Sequence, residues 1–262
     1  MDKIEALDLQ ILPTTLLSDY LNQLNEDLEN KFNKLKNSEL DIVNFSFYTS
    51  VSAVFSSKIE GEDIELDSYI KHKRLGAHFL PDYTRKIDDL YDTYIYAQQT
   101  SLNQSSVKKA HILLTKHILQ KPQQGKLRKR NMFVVTKDGK IEYVAIAPEK
   151  VEEELSKFFE DIEKLIQIEL TFNETIFFAS LIHLVFVKIH PFEDGNGRTG
   201  RLLEKWFLSE KLGEKAWLIP SERNYYEQHQ AYYNNLRKLG IEYEELDYTK
   251  ALPFLLMLQS SI

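Results

Sequence analysis

Residues 190–201, HPFEDGNGRTGR, place a histidine, an acid, glycines and two arginines within twelve positions. Two glycines flank an asparagine at 195–197, and glycines let the backbone turn tightly with its amides facing one way. Such amides, followed by a helix N-terminus, bind anions. Arg198 and Arg201 lie three residues apart on the first turn of that helix, and arginine suits bidentate phosphate contact. We therefore expect a polyphosphate site.

The acid and the histidine of this stretch add chemistry to the phosphate cradle. Asp194 would repel phosphate unless a cation bridged them, and Mg²⁺ is commonly held by one or two carboxylates together with phosphate oxygens. A neutral His190 would take a proton from an incoming hydroxyl, which contributes roughly 10²- to 10⁴-fold to a rate. The stretch predicts a nucleotide-transfer site with a cradle, a metal ligand and a base.

Other interpretations of these residues are weaker. Asp-Gly-Asn-Gly resembles part of a calcium loop, but the spaced carboxylates of an EF-hand are missing. It is not a Walker loop, because Lys-[Ser/Thr] does not follow the glycines. His183 and His190 share a helix face and suggest a metal pair, but no third ligand has suitable spacing. A single histidine at a helix end is usually structural, so the combination of elements carries the prediction.

Composition bounds the class of protein. The 262 residues carry a net charge of −7, which argues against a nucleic-acid surface as the main role. Cysteine is absent, which excludes disulfides and thiolate metal sites and fits a cytoplasmic location. The N-terminus does not resemble a signal peptide. The longest apolar run, 176–187, is too short to span a bilayer, so we expect a buried core helix and no membrane partner.

Few glycines and prolines occur, and apolar residues recur every three or four positions, so the chain is predicted to be mainly α-helical. Predicted helices cover about 17–35, 42–60, 82–99, 105–119, 151–167, 174–189, 198–208, 221–238 and 246–259. Ser105 or Ser106 is the predicted cap of the fourth. Residues 132–148 are rich in β-branched and aromatic residues on both sides of Asp138-Gly139, which predicts a β-hairpin.

The twelve-residue stretch fits the motif H-x-F-x-[D/E]-G-N-G-R-x-x-R at every fixed position, and the chain thereby resembles the Fic family. Three further segments are similar to parts of that family: the hairpin at 132–147 to its flap, GKLR (125–128) to a Gly-x-x-Arg element, and AYYNNL (231–236) to a tyrosine-rich helix. The resemblance implies a mainly α fold, a Fic-fold helical bundle with a short β-hairpin flap. It also implies an N-terminal helical region at 1–80 ahead of a catalytic core at 81–262.

The resemblance implies a protein adenylyltransferase, which moves AMP from ATP to a Ser, Thr or Tyr hydroxyl of a target protein. His190 would be the base, Phe192 the anchor of the loop and Asp194 the Mg²⁺ ligand. Nucleotide contacts would come from the loop and two helices: Asp194, Gly195, Asn196, Gly197, Arg198, Thr199, Gly200, Arg201, Tyr232 and Tyr233. The flap residues Phe133, Val134 and Val135 would hold the target as an added strand. Gly240 departs from the family, which has an asparagine there near the adenine.

A second motif, SSKIEG (56–61), matches the family's inhibitory pattern [S/T]-x-x-x-E-[G/N] through Ser56, Glu60 and Gly61. A glutamate that reached Arg201 would occupy the charge of this arginine and crowd the γ-phosphate. We therefore expect self-inhibition. The alternative is a solvated glutamate at a helix end.

Three functions remain open from the sequence. The first is AMP transfer, with ATP as substrate, Mg²⁺ as cofactor and a target protein as partner. The second is a Fic-type enzyme that uses another donor or removes AMP, with Glu60 aligning a water. The third is a non-catalytic regulatory module, which the intact motif disfavours. A homodimer fits the resemblance, and DNA binding is not expected because the chain ends at Ile262, soon after its last predicted helix.

Overall fold

The computed structural model describes residues 2–36, 46–79, 84–135 and 141–262. It is mainly helical with one small antiparallel sheet. The elements are α1 (Asp2–Glu5), α2 (Leu17–Leu21), α3 (Leu28–Lys34), α4 (Phe47–Ile59), α5 (Leu66–Leu75), α6 (Arg85–Gln98), α7 (Gln104–Leu114), β1 (Phe133–Val135), β2 (Ile141–Val144), α8 (Val151–Gln167), α9 (Phe172–Ile189), α10 (Asn196–Leu212), α11 (Ser221–Glu227), α12 (His229–Arg237) and α13 (Leu252–Leu255).

Helix α9 is the centre of the core. It is apolar on all faces, as a helix enclosed by others must be, and all its side chains except Asn173 and Val187 are buried. Thr171 and Glu174 close a capping box at its start. Among the described helices, α9 alone is long and apolar enough to cross a membrane, although we had judged its apolar run too short. Since 89% of that stretch is buried inside the protein, α9 is the core helix that we predicted.

Helices α10 and α4 carry the two motifs. Helix α10 lies along α9, while α4 packs against α6 and α11 and also touches α10. Ser46 caps α4 by accepting a hydrogen bond from the Thr49 amide. The helix ends at Ile59, and Gly61 follows with φ +92°, a conformation that favours glycine. This packing carries the end of α4 to the start of α10.

The predicted hairpin is present, with β1 and β2 paired in the order Phe133 to Val144 and Val134 to Tyr143. A bulge then brings Val135 opposite Ile141. The predicted Asp138-Gly139 turn lies outside the described residues. The far edge of β2 is partly covered, because the Val144 amide donates to the carbonyl of Ile241.

Two of the predicted helices differ from the structure where polar side chains form hydrogen bonds with nearby backbone groups. The predicted helix at 17–35 is wrong in its middle, where Asn25 Oδ1 accepts a bond from the Asp27 amide and holds a turn between α2 and α3. Helix α7 is capped by Asn103, and Ser106 occupies position N3 of its capping box, so the predicted serine cap is wrong. This helix also ends at Leu114 rather than near 119.

The C-terminal helices are shorter than predicted. Residues 221–238 form two helices with a break at Gln228. The predicted helix at 246–259 is wrong, since only α13 and flanking 3₁₀ turns form there. Asp247 Oδ1 accepts from the Thr249 amide and starts a turn, and Pro253 has no N–H for a longer helix. Helix α8 has the predicted bounds, while α9 and α10 are longer than predicted.

The boundaries of the remaining predictions fall partly outside the described residues. This applies to positions 42–45 and 82–83 at the starts of two predicted helices and to part of the predicted boundary near residue 80. The N-terminal segment lies against the rest of the chain, because the amides of Gln10, Ile11 and Leu12 donate to the buried carboxylate of Asp161 on α8. The division at residue 80 stays a prediction.

Candidate active site

His190 ends α9 in the left-handed conformation, with φ 52° and ψ 58°. Proline at 191 disfavours a further helical residue before it, so the chain turns out of the helix here. The carbonyl of Val187 can only accept, so the 3.1 Å contact assigns the imidazole proton to Nδ1. Nε2 then carries the lone pair. Burial lowers the pKa of His190, so the ring is neutral near pH 7 and suited to act as a base.

Arg128 holds the backbone on which His190 sits. Its Nε donates to the His190 carbonyl at 2.7 Å, and its other nitrogens donate to the carbonyls of Arg130, Ile146 and Ile189. The side chain is 2% exposed. The sequence showed this arginine only as the end of a Gly-x-x-Arg element, and its contact with His190 depends on long-range packing.

Replacing Arg128 with methionine is expected to lower both stability and turnover. Several buried carbonyls would lose their donor, at a cost of about 2–4 kcal/mol, and His190 would lose its fixed backbone. Thermal unfolding and the turnover number would measure the two effects. Arg130→Met is the matched control, since that side chain is exposed. Equal effects of both substitutions would contradict a role in positioning His190.

The loop after His190 is closed by its own side chains. Phe192 is 1% exposed and stacks on the ring of His111, with 3.7 Å between centroids. The amide of Asn196 both accepts from the Phe192 N–H and donates to the Phe192 carbonyl, each at 2.9 Å. Phe192 therefore lies in the core, where a loop anchor would be. Asn196 supports the loop with its side chain and leaves only its backbone N–H for a ligand.

His111 on α7 is a loop contact that the sequence analysis missed. Gly125 N–H donates to its Nδ1, so its Nε2 carries the proton and donates to the Asp194 carbonyl at 2.9 Å. Burial lowers the pKa of His111 to about 4, so the neutral form persists. No motif pointed to it, because the contact joins residues 83 positions apart.

Gly195, at φ +81°, is the N-cap of α10. A Cβ at this position would lie 2.9 Å from Thr115 Cγ2, so the close approach of the loop to α7 also requires glycine. The first amides of a helix have no partner within it and carry the positive end of its dipole. The start of α10 thus has the geometry of an anion-binding nest, where the sequence predicts one.

Arg201, fully buried on α10, is held by the end of α4. Its Nε donates to Ser56 Oγ at 2.9 Å, and one terminal nitrogen donates to the Ser56 carbonyl at 3.1 Å and to Glu60 Oε1 at 2.6 Å. The contact between Glu60 and Arg201 that the sequence suggested is therefore present. Gly61 contributes its positive φ, which reverses the chain directly after the glutamate.

The Glu60 carboxylate lies over the nest itself. A Cβ added at Gly197 would clash with Glu60 Oε1, so the missing side chain leaves the space that this carboxylate fills. Burial alone would raise the pKa of Glu60, but the charges of Arg201 and Arg198 outweigh it and hold the pKa below its usual value. A carboxylate thus stands where an anionic ligand would bind.

Arg198 is less engaged than Arg201. It is 4% exposed, its Nε has no partner within the described parts of the chain, and its nearest acid oxygen, on Glu62, is 3.8 Å away. Glu62 is itself paired with Lys86 at 2.7 Å. A buried arginine with spare donors beside a helix N-terminus fits an anion that is not yet bound.

Tyr232 on α12 contacts a different terminal nitrogen of Arg201 from the one that binds Glu60. Its hydroxyl lies 3.3 Å from Arg201 and 3.0 Å from His183 Nε2, while His183 Nδ1 contacts Glu204 at 2.9 Å. Both ring nitrogens of His183 are therefore used within the core, which disfavours a metal pair with His190. No group of three or more metal-ligating side chains occurs in the residues that the structure describes.

Thr199 and Gly200 lie on the packed side of α10. Thr199 Oγ1 donates to the Gly195 carbonyl at 2.8 Å, and a Cβ at Gly200 would lie 2.9 Å from Val187 Cγ2 on α9. We had grouped both with the nucleotide contacts. Their side-chain positions serve the turn of α10 and its packing on α9.

A partly open cavity of about 180 Å³ lies beside His190. Its walls come from α9, α10, α12, the hairpin and the end of α4, and they include His190, Arg201, Tyr232, Tyr233, Val134 and Glu60. Phe133 and Val135 point away and are 48% and 57% exposed. Strand β1 thus borders the cavity through Val134.

Gly240 adopts φ +129°, and a Cβ there would lie 3.4 Å from the Glu245 carbonyl. An asparagine would be strained in this conformation. Glycine therefore suits the backbone of this chain at the position where its sequence departs from the family pattern.

Asp194 is exposed next to the nest, and its Oδ1 accepts from the Gly195 amide at 2.6 Å. A lone carboxylate beside a phosphate cradle fits Mg²⁺, which takes one or two protein oxygens and completes its shell with phosphate oxygens and water. The residues present therefore fit the predicted ion.

Comparison with known proteins gives a family model and a curated relative that each match part of this chain. A model of the Fic/DOC family matches residues 101–208. A curated protein of Nematostella vectensis, named protein adenylyltransferase Fic, is 38% identical over 79 residues. That match covers 30% of this chain and 16% of the relative.

Three solved structures share the fold. A Fic family protein of Desulfovibrio desulfuricans aligns with a TM-score of 0.68 at 17% identity, over 100% of this chain and 73% of its own. A Fic domain-containing signaling protein of Bacteroides thetaiotaomicron aligns at 0.66 and 17%, covering 98% and 91%. Fic-1 of C. elegans aligns at 0.64 and 18%, covering 94% and 71%. The predicted fold class is confirmed.

Proposed function

We propose that this chain, which carries a Fic domain over residues 101–208, transfers AMP from ATP to a Ser, Thr or Tyr hydroxyl of a target protein and is inhibited by its own Glu60. One observation carries the proposal. A complete anion nest, with Arg201 beside it, lies in the same cavity as a neutral histidine, and an acid of the same chain fills the nest. The name of the Nematostella relative supports AMP as the transferred group.

The chemistry follows from the positions of the side chains. The amides at the start of α10, with Arg198 and Arg201, hold and orient the phosphates. His190 Nε2 takes the proton of the target hydroxyl as its oxygen attacks the α-phosphorus. A new O–P bond forms, the α–β phosphoanhydride bond breaks, and pyrophosphate leaves. The protonated His190 is stabilised by the Nδ1–H bond to Val187 that already orients it.

Magnesium would be held by Asp194 together with phosphate oxygens, and when bound it neutralises charge on the phosphates. The flap has a separate task. Its open β1 edge would pair with an extended segment of the target and bring the hydroxyl towards His190. Pairing through the backbone accepts many sequences, so the target is defined mainly by an exposed, extended segment that carries a hydroxyl.

Inhibition follows from the same contacts. The Glu60 carboxylate takes the charge of Arg201 and the space at Gly197. ATP would then be held, if at all, without its terminal phosphate in place, and its α-phosphorus would not face His190 in line. Relief requires only that the end of α4 move or that Glu60 turn away.

Removal of AMP from a modified protein is the second candidate. It is favoured by one observation, that Glu60 and His190 line the same cavity, where the acid would orient a water for attack. An assay with AMP-modified target would detect it. Glu60→Gly would abolish removal but would stimulate transfer, so the two reactions respond to this substitution with opposite signs.

The experiment that tests the proposal is label transfer from α-³²P-ATP in Mg²⁺, with γ-³²P-ATP in parallel. Wild type, Glu60→Gly and His190→Ala would be compared. Label from the α-phosphate alone, strongest in Glu60→Gly and absent in His190→Ala, is the expected result. Label from the γ-phosphate would contradict AMP transfer and indicate a different phosphoryl reaction at the same site.

The pH profile of the Glu60→Gly variant should report His190. A base acts in its unprotonated form, and burial lowers the pKa of His190 below its ordinary 6.5, so the acid limb of kcat/KM is expected below pH 6.5. The Glu60 charge favours the protonated ring, so its removal lowers this pKa further. Rates measured from about pH 5 to about pH 7.5 give the limb. A midpoint above 6.5 would show that His190 is not the titrating base.

A further inference from the structure

Lys188, two residues before His190, has no role in the chemistry described above. It is only 3% exposed, yet it lines the same cavity as His190 and Arg201. Its Nζ lies 4.2 Å from the centroid of the Tyr143 ring, a cation–π contact. Within the described residues the Nζ of Lys188 makes no hydrogen bond and no ion pair. A buried cation therefore faces the cavity without an anion.

The acids around this cavity are engaged elsewhere. Glu142 pairs with Arg237 at 2.6 Å, and Glu60 pairs with Arg201 at 2.6 Å. Burial lowers the pKa of Lys188 to about 8, and no nearby charge counters it. The backbone of Lys188 is fixed at the same time, because the Tyr143 hydroxyl donates to its carbonyl at 2.5 Å. Tyr143, on strand β2 of the hairpin, therefore determines where the Lys188 ammonium group lies.

A second buried lysine, Lys205, shows which partners neutralise a buried lysine whose role is structural. Lys205 is fully buried, and its Nζ contacts Glu222 Oε2 and Ser52 Oγ, each at 2.6 Å. Burying a charge costs free energy unless it is paired and hydrogen-bonded. Lys205 meets that condition within the fold. Lys188 does not, and so its missing partner is expected from a ligand.

We propose that Lys188 binds an anionic oxygen of the phosphate that is transferred, the one next to the nucleoside. The proposal rests on the proposed function, since it takes a nucleotide as the ligand. Base and ribose are neutral, so a phosphate oxygen is the group of a nucleotide that supplies the missing charge. His190, two residues further on, faces the phosphate under attack, and Lys188 lines the same cavity.

Binding of AMP and adenosine tests this assignment directly, because the two ligands differ by that one phosphate. Calorimetry would use Glu60→Gly as background, with Lys188→Met and Lys188→Arg added separately. Lys188→Met is expected to weaken the binding of AMP and of ATP roughly 10- to 100-fold, which is the contribution of one hydrogen bond to a charged group. Adenosine should bind unchanged, and Lys188→Arg should retain most of the affinity for AMP.

The melting temperature of the ligand-free protein is a second measurement. Here Lys188→Met is expected to leave the protein as stable or more stable, although it weakens binding. Lys188→Met removes an uncompensated buried charge and keeps the apolar length, so the melting temperature of the free protein should stay equal or rise. Lys205→Met, the matched control, should lower it, because Glu222 would be left buried without its partner. A variant that is as stable but binds AMP less tightly identifies a ligand contact rather than a packing residue.

The possible failures are distinct. An equal loss of affinity for AMP and adenosine, or a lower melting temperature in Lys188→Met, would show that Lys188 only shapes the cavity. Unchanged binding of AMP would show that Lys188 does not contact the ligand. Each overturns the Lys188 assignment while the nucleotide site stands. No binding of ATP or AMP to any variant would overturn the proposed function itself, and the assignment with it.

Discussion

Replacing Glu60 with glycine is expected to raise the rate of AMP transfer by roughly 10- to 100-fold. A hydrogen bond to a charged partner contributes about 1.5–3 kcal/mol, and about 1.4 kcal/mol is a factor of ten in the population of the active state. The Glu60 contact with Arg201 has this character, at 2.6 Å with the arginine fully buried. Self-modification and target labelling from α-³²P-ATP would measure the increase.

Two further variants show whether the charge or the segment is responsible. Glu60→Gln keeps the shape but loses the carboxylate, so it should release part of the inhibition. Glu65→Gly alters an acid of the same segment that is exposed and paired only with Lys58, and it should leave the rate unchanged. An unchanged rate in Glu60→Gly would sink the inhibition claim while leaving the transferase proposal in place.

Glu60 should hold Arg201 over a wide pH range. A carboxylate whose folded pKa is depressed keeps its ion pair above that lowered pKa and loses it only as pH falls through it. The ratio of Glu60→Gly to wild-type rates should therefore not fall between neutral pH and the usual glutamate value of 4.5, because the ion pair persists and the lower His190 pKa of the variant keeps its base unprotonated to lower pH. A ratio that falls towards one well above that value would mean that protonation of Glu60 already releases inhibition.

The parts of the site that are local in sequence were predictable. The nest needs only two glycines and the start of a helix, and all of these occur within 195–198. The hairpin and α8 were predictable for a similar reason, since alternation and helical spacing act within one segment. The contact of Glu60 with Arg201 spans 141 positions and came from the resemblance and the motif, not from spacing.

The residues that escaped prediction depend on tertiary packing. Arg128 and Lys188 look like ordinary basic residues in the sequence, and only the fold shows that both are almost fully buried. His111 is a single histidine on a helix until α7 meets the loop at Asp194. The broken helices have a different cause, because side-chain turns at Asn25 and Asp247 compete with a helical pattern that the apolar spacing alone suggests.

Replacing His190 with alanine is expected to reduce AMP transfer by at least about 10²-fold, and by up to about 10⁴-fold, because a positioned general base is lost. The measurement belongs in the Glu60→Gly background, where the starting rate is high. Affinity for ATP should change little. The proposed phosphate contacts come from the start of α10 and from Arg198, Arg201 and Lys188, none of which uses the imidazole.

The fold should also tolerate this change. The ring makes one hydrogen bond, from Nδ1 to the Val187 carbonyl. The backbone of His190 is held by Arg128 and by the hydrogen bond from its own N–H to the Phe186 carbonyl. His229→Ala, at an exposed histidine on α12, is the matched control and should keep full activity. If His190→Ala retained transfer but bound ATP poorly, the histidine would be a phosphate ligand. The proton would then have to leave the target hydroxyl by another route, so the separation of kcat from ATP affinity decides the role of His190.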